Sequence, residues 1–190
     1  MAIPEDLLQQ VLALCSKIDL DDDDVQVDDD TLAEMESQQE NLQIWADTLT
    51  DKAVPALVEL ICMPQEEQNA LSPNGNGNEI CGVAMDALIN IGSRHPEPVQ
   101  AALELLLTRE DTVGLALEGV ELWEERRMLP AVAGVVERNE DTDIAYLLAG
   151  VLYALDGPEA VRLLKILLVK FEDDAELVEQ IEEVINAIED

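Results

Sequence analysis

The chain has 190 residues, 48% of them hydrophobic, which allows one ordinary domain, or a small domain plus an arm, with a real core. Asp and Glu number 43 against 10 Lys and Arg, a formal charge of -33, where a small soluble domain usually carries a magnitude of about 2 to 8. That field repels nucleic acid and anionic lipid and attracts basic surfaces, less so in salt. One Phe, two Trp and two Tyr also supply few stacking platforms for single-stranded nucleic acid.

The opening MAIPEDLLQQ lacks the basic region and apolar run of a secretory signal. No apolar run approaches the roughly 18 residues of a membrane span. Cys15, Cys62 and Cys81 form an odd set without CxxC, which suits a reducing compartment better than a disulfide framework. The expectation is a cytoplasmic chain with no membrane partner. Acidity of this order also fits life at high salt.

Asp6 to Ile18 reads as a first helix, with Leu7, Leu8, Val11, Leu12, Cys15 and Ile18 at helical spacing. The run from Asp19 to Asp30 then breaks the pattern, and eight of its twelve residues are Asp. Thr31, with Glu34 in capping-box position, opens a second helix to about Leu49. Residues 1–50 are therefore expected to form an N-terminal helical region with an Asp-rich linker at 19–30.

From Ala53 helices are expected in pairs. AVPALVELI and NEICGVAMDALINIG make the first, HPEPVQAALELLL and TREDTVGLALEGVELWEE the second. MLPAVAGVVE and NEDTDIAYLLAGVLYALDG follow, then GPEAVRLLKILLVK and EDDAELVEQIEEVINAI. Pro55, Pro98, Pro130 and Pro158 each sit near the first turn of a leading helix, where a missing N–H costs nothing. Glu110-Asp111-Thr112 recurs as Glu140-Asp141-Thr142, with acids placed to meet a helix N-terminal dipole. Gly92 and Gly157 read as helix stops. The stretch 64–78, PQEEQNALSPNGNGN, reads as a loop inserted within the first pair.

AVPALVELI, LPAVAGVVERNEDTDIAYLLAGVLYALDG and GPEAVRLLKILL together resemble HEAT/armadillo-like helical repeats, over about Ala53 to Glu189. The resemblance implies an all-α, HEAT/armadillo-like alpha-solenoid at 51–190, in which stacked pairs bury each other's apolar faces. It also implies a module that binds a protein or peptide along a curved surface.

No residue pattern marks a reaction. His95 is the only histidine, with no Ser or Cys partner that spacing would supply. No cysteine spacing suggests zinc, and neither frame of an EF-hand loop fits. From Asp19, Asp24 stands where the loop's Gly belongs; from Asp22, Val27 does. The glycines of NGNGNEICG follow no strand and lack the Lys of a phosphate loop. No catalytic residue, metal or cofactor is expected.

The reading is a noncatalytic adaptor, assembly or inhibitory module that recognises a basic protein and makes no direct contact with nucleic acid. The residues expected to meet the partner are Asp21, Asp22, Asp23, Asp24, Asp28, Asp29 and Asp30, with Trp45 as an aromatic anchor and Asn76 in the inserted loop. The alternative is an acidic DNA mimic, with Glu121, Glu124 and Glu125, then Glu176, Glu179, Glu182 and Glu183, standing in for phosphates. Trp123, Tyr146 and Tyr153 are expected to pack in the core. Arg126, Arg127 and Arg138 are expected to pair within the chain.

Overall fold

The computed structural model describes residues 3–15 and 29–189, without the side chains of residues 29–36 and 38. Its regular elements are α1 (Glu5–Leu14), α2 (Asp29–Thr48), α3 (Val54–Ile61), α4 (Gln65–Leu71), α5 (Asn78–Gly92), α6 (Pro96–Leu107), α7 (Val113–Trp123), α8 (Leu129–Arg138), α9 (Thr142–Leu155), α10 (Pro158–Lys170) and α11 (Ala175–Glu189). The fold is all-α, and no strand occurs among the described residues. The chain divides into two compact units, Met1–Ala102 and Leu103–Asp190, with the division inside α6.

Local chemistry explains most helix ends. Pro lies in the first turn of α3, α8 and α10. Short 3-10 turns at Asp51–Ala53 and Arg126–Met128 lead into α3 and α8. The Asp141 carboxylate caps α9, accepting from the backbone N–H of Asp143 at 2.8 Å and of Ile144 at 3.3 Å. Gly157 follows α9 at φ 91° and is a helix stop as expected. Gly92 instead remains the buried last residue of α5.

Two stretches differ from expectation. α2 already runs at Asp29, so Thr31 lies inside its first turn and not ahead of it. The stretch 64–78 contains α4, held by the buried Gln68. That side chain's Nε2 donates to the carbonyls of Leu60 at 3.1 Å and Ile61 at 3.4 Å, and to Cys81 Sγ at 2.9 Å. One amide thus closes the carbonyl end of α3.

In the first unit α5 is the hub, and α1, α2, α3 and α4 all pack on it. Val11, Leu57, Leu60, Ile80, Leu88 and Ile91 are fully enclosed. The helices of the N-terminal region therefore rest on the first helical pair. Trp45 Nε1 ties α2 to α1 by donating to Gln10 Oε1 at 2.8 Å.

The second unit is built around α9, which packs on α7, α8, α10 and α11, while α8 packs on α10. Leu117, Val132, Leu148, Leu152, Leu164 and Ile181 are fully enclosed. Truncating such a Leu to Ala costs about 2–5 kcal/mol.

Cations close further helix ends. Arg94 donates to the carbonyls of Ala46 at 2.8 Å and Asp47 at 2.6 Å, at the end of α2. Arg138, the last residue of α8, donates to the Leu107 carbonyl that ends α6. Lys170, the last residue of α10, donates to the carbonyls of Val136, Glu137 and Asn139 at the end of α8, at 2.8–2.9 Å. Each satisfies carbonyls that have no partner inside their own helix and opposes the negative end of its dipole.

Candidate protein-docking surface

Asp21, Asp22, Asp23, Asp24 and Asp28 lie outside the described residues, as do most positions of both EF-hand frames. Asp29 and Asp30 form the first turn of α2. Trp45 is half-buried, and its indole N–H is committed to Gln10. Asn76 is half-buried in the turn before α5. Its backbone N–H donates to Asn74 Oδ1 at 2.8 Å, and its side-chain oxygen accepts from Asn78 N at 3.1 Å. Of these residues only Trp45 and Asn76 have described side chains, and they sit apart, on α2 and in the turn before α5.

The use of cations decides where free negative charge remains. Arg109 pairs with Asp111, Arg126 with Asp156, Arg127 with Glu125, Arg162 with Glu159 and Lys165 with Glu189, at 2.6–3.2 Å. The expected pairing of Arg126 and Arg127 within the chain is thus what the structure contains. Arg94, Arg138 and Lys170 are engaged on carbonyls. Arg138 therefore closes a helix end and pairs with no carboxylate among the described residues.

One groove of about 520 Å³ lies between α7 and α9 in the second unit, lined by Glu118, Glu121, Leu122, Glu124, Tyr153 and Ala154. Leu122 is 65% exposed and Tyr153 55% exposed. Tyr153 was expected in the core; only its seven-residue neighbour Tyr146 is half-buried. Glu121 lies across Gly150, where a Cβ would come within 3.1 Å of its carboxylate. Glu124, which also lines the groove, ends α7 in the left-handed conformation at φ 52°. Glu118, Glu121 and Glu124 form no ion pair among the described residues.

Carboxylates also lie near Tyr146, two turns earlier on α9. The Tyr146 hydroxyl is pushed above its ordinary pKa by loss of water contact, and then by the charges of Asp174, Glu176 and Asp143. Chemically, the α7–α9 surface offers two apolar side chains within a field of unanswered carboxylates.

A second groove of about 660 Å³ lies between the turns before α7 and α9, lined by Thr108, Arg109, Val113, Val135, Arg138, Asp141 and Ile144 among others. Of its polar groups, Arg109 is engaged with Asp111, Arg138 with Leu107, and Asp141 with the start of α9, while Glu110 and Glu140 also line it and form no ion pair among the described residues. It therefore sets two unpaired carboxylates beside two cations, where the α7–α9 groove is lined by three unpaired carboxylates and no cation.

Sequence reasoning missed the α7–α9 groove because Leu122 and Tyr153 both fall on apolar helix patterns. The usable signal was the spacing of Glu118, Glu121 and Leu122, which shares one side of α7 at successive turns. No group of three or more His, Cys, Asp and Glu among the described residues is arranged to hold a metal. No helix among them is long and apolar enough to cross a membrane. Comparison with protein-family models, curated proteins and solved structures finds no match in any of the three.

Proposed function

We propose that the chain is a noncatalytic protein-binding module of the HEAT/armadillo-like solenoid type, an adaptor, assembly or inhibitory subunit that works on a basic partner in the cytoplasm. The observation that carries this reading is the α7–α9 groove, where exposed Leu122 and Tyr153 sit beside Glu118, Glu121 and Glu124. A partner segment with an apolar residue flanked by Lys or Arg complements both features. The charge of -33 steers such a segment in. Burial of Leu122 and Tyr153 then supplies discrimination that charge alone does not. The solenoid reading is supported by α7, α9 and α11 packing in series, and by Arg138 and Lys170 closing ends of preceding helices from equivalent positions.

The test uses a labelled peptide with one Phe between pairs of Lys and Arg, and an equally charged peptide with Ser in place of Phe. Fluorescence anisotropy on the full chain should show saturable binding of the Phe peptide, weakened by added salt. Tyr153→Ala should weaken it roughly tenfold, the scale of an aromatic anchor. Equal binding of both peptides, unchanged by Tyr153→Ala and Leu122→Ala, would sink the groove and leave only unspecific charge attraction.

A further inference from the structure

The turn before α5 contains two Asn-Gly pairs, Asn74-Gly75 and Asn76-Gly77. As sequence they are chemically equivalent, but the fold treats them differently. Asn74 Oδ1 accepts two hydrogen bonds, from Ser72 Oγ at 2.7 Å and from the Asn76 backbone N–H at 2.8 Å. Its Nδ2 is buried without a partner. Gly75 follows in the left-handed region at φ 84°, with nothing within 4 Å of where a Cβ would stand. The Gly75 N–H makes only a long bond, 3.2 Å, to the Ser72 carbonyl.

We propose that Asn74 is a site of self-modification, in which its side-chain amide is converted to an acid by the neighbouring Gly75 nitrogen. Two donors on Oδ1 polarise the side-chain carbonyl and are placed to hold the negative oxygen that forms when it is attacked. The Gly75 amide loses its proton to hydroxide, and its electron pair forms a bond to Cγ of Asn74. The Cγ–Nδ2 bond breaks, and the nitrogen takes up a proton and leaves as ammonia. Water then opens the cyclic imide at either carbonyl, giving aspartate or isoaspartate. Nothing is oxidised or reduced, and the chain gains one negative charge.

Asn76-Gly77 is held against the same reaction. The Gly77 N–H donates to Asn69 Oδ1 at 2.8 Å, so the nucleophile is engaged by a shorter bond. The backbone there is also enclosed, since a Cβ on Gly77 would stand 2.5 Å from Gln68 Cβ. Gln68 is itself fixed, 2% exposed and bonded to the end of α3. The Gly77 nitrogen has no room to swing toward the Asn76 side chain. An isoaspartyl link at residue 74 adds one carbon to the main chain and displaces the Asn76 N–H from its acceptor. The modification therefore acts on the turn that sets the start of α5.

The test incubates the full chain in mildly alkaline buffer and maps its peptides by mass spectrometry, with an isoaspartate-specific methyltransferase as a second readout. Asn74 should convert faster than Asn76 by roughly tenfold, the scale of one hydrogen bond that must first be broken. In denaturant the two rates should become alike. Ser72→Ala, with helicity checked by circular dichroism, should slow Asn74 and leave Asn76 unchanged. Equal rates in the folded chain, faster conversion at Asn76, or a ratio that survives denaturant would overturn the proposal.

Discussion

Lys170 shows how much one side chain can hold in place here. Its ammonium has three donors, and all three meet carbonyls at the end of α8. Hydrogen bonds to a charged group each contribute about 1.5–3 kcal/mol, and loss of the donor leaves carbonyls unsatisfied. Lys170→Met should therefore destabilise the chain by about 2–3 kcal/mol, read from urea midpoints. Lys165→Met, which removes only the exposed pair with Glu189, should cost under about 1 kcal/mol. Equal losses in the two variants would show that the caps contribute no more than surface pairs. The role of Arg138 was not legible in the sequence because its acceptor, Leu107, lies 31 residues away. Tyr153 was misread for a related reason. Seven residues bring a helix back to within about 20° of the same face, but the elements that cover Tyr146 do not cover Tyr153.

Cys15 makes a second prediction at this scale. Burial, then the charge of Glu79, pushes its thiol up to about 12 from an ordinary 9.0. The folded state thus disfavours the thiolate. This contribution to stability is intact below pH 9.0 and is lost as pH rises toward about 12, because only the unfolded chain ionises freely there. Alkylation at a pH near 9 should be slow for Cys15 in the folded chain and fast in urea. Cys15→Ala should flatten the alkaline fall in stability. A Cys15 that alkylates as quickly folded as unfolded would contradict its enclosure against α5.

Among elements, the helices from α5 to α11 were the most legible, since apolar spacing, first-turn prolines and repeated Glu-Asp-Thr starts all agreed. α4 was hidden because its seven residues are mostly polar and its order depends on Gln68 reaching back to α3. Periodicity reports a face that meets a core, and α4 buries a hydrogen-bonding amide instead. Gly77 and Gly150 test this account of the joints. Gly150→Ala meets only the mobile end of Glu121, so it should stabilise α9 by about 0.5–1 kcal/mol through helix propensity. Gly77→Ala drives a Cβ into Gln68 Cβ and the Asn69 backbone. It should cost about 1–3 kcal/mol, the scale of overpacking. Thermal melts of the two variants should move in opposite directions, and parallel shifts would refute the close approach at Gly77.

At the scale of the molecule, the all-α class was legible from composition and period, because nothing in the chain alternates with the period of a strand. The docking groove was not, since it forms where α7 and α9 lie side by side and leave Leu122 and Tyr153 uncovered. The charge of -33 was plain from the start, but only the structure shows how few cations remain to offset it. Carboxylates that repel one another oppose compaction, and salt screens them over about 8 Å at physiological strength. Urea stability should therefore rise with added sodium chloride. With cores enclosed in both units, unfolding should already be cooperative at about 0.15 M salt. A chain that folds only in molar salt would restore the high-salt explanation of its acidity.

The cations at the helix ends also divide the surface into positions that can drift and positions that cannot. A lineage under pressure for still greater acidity can shed Arg162 or Lys165 at little cost, because exposed pairs contribute little. Arg94, Arg138 and Lys170 are different, since no acid can donate to a carbonyl once ionised. In a pool of random substitutions, losses at these three positions should be purged while losses at the paired positions accumulate. The lowest number of basic residues such a chain can carry is then set by how many helix ends it must close.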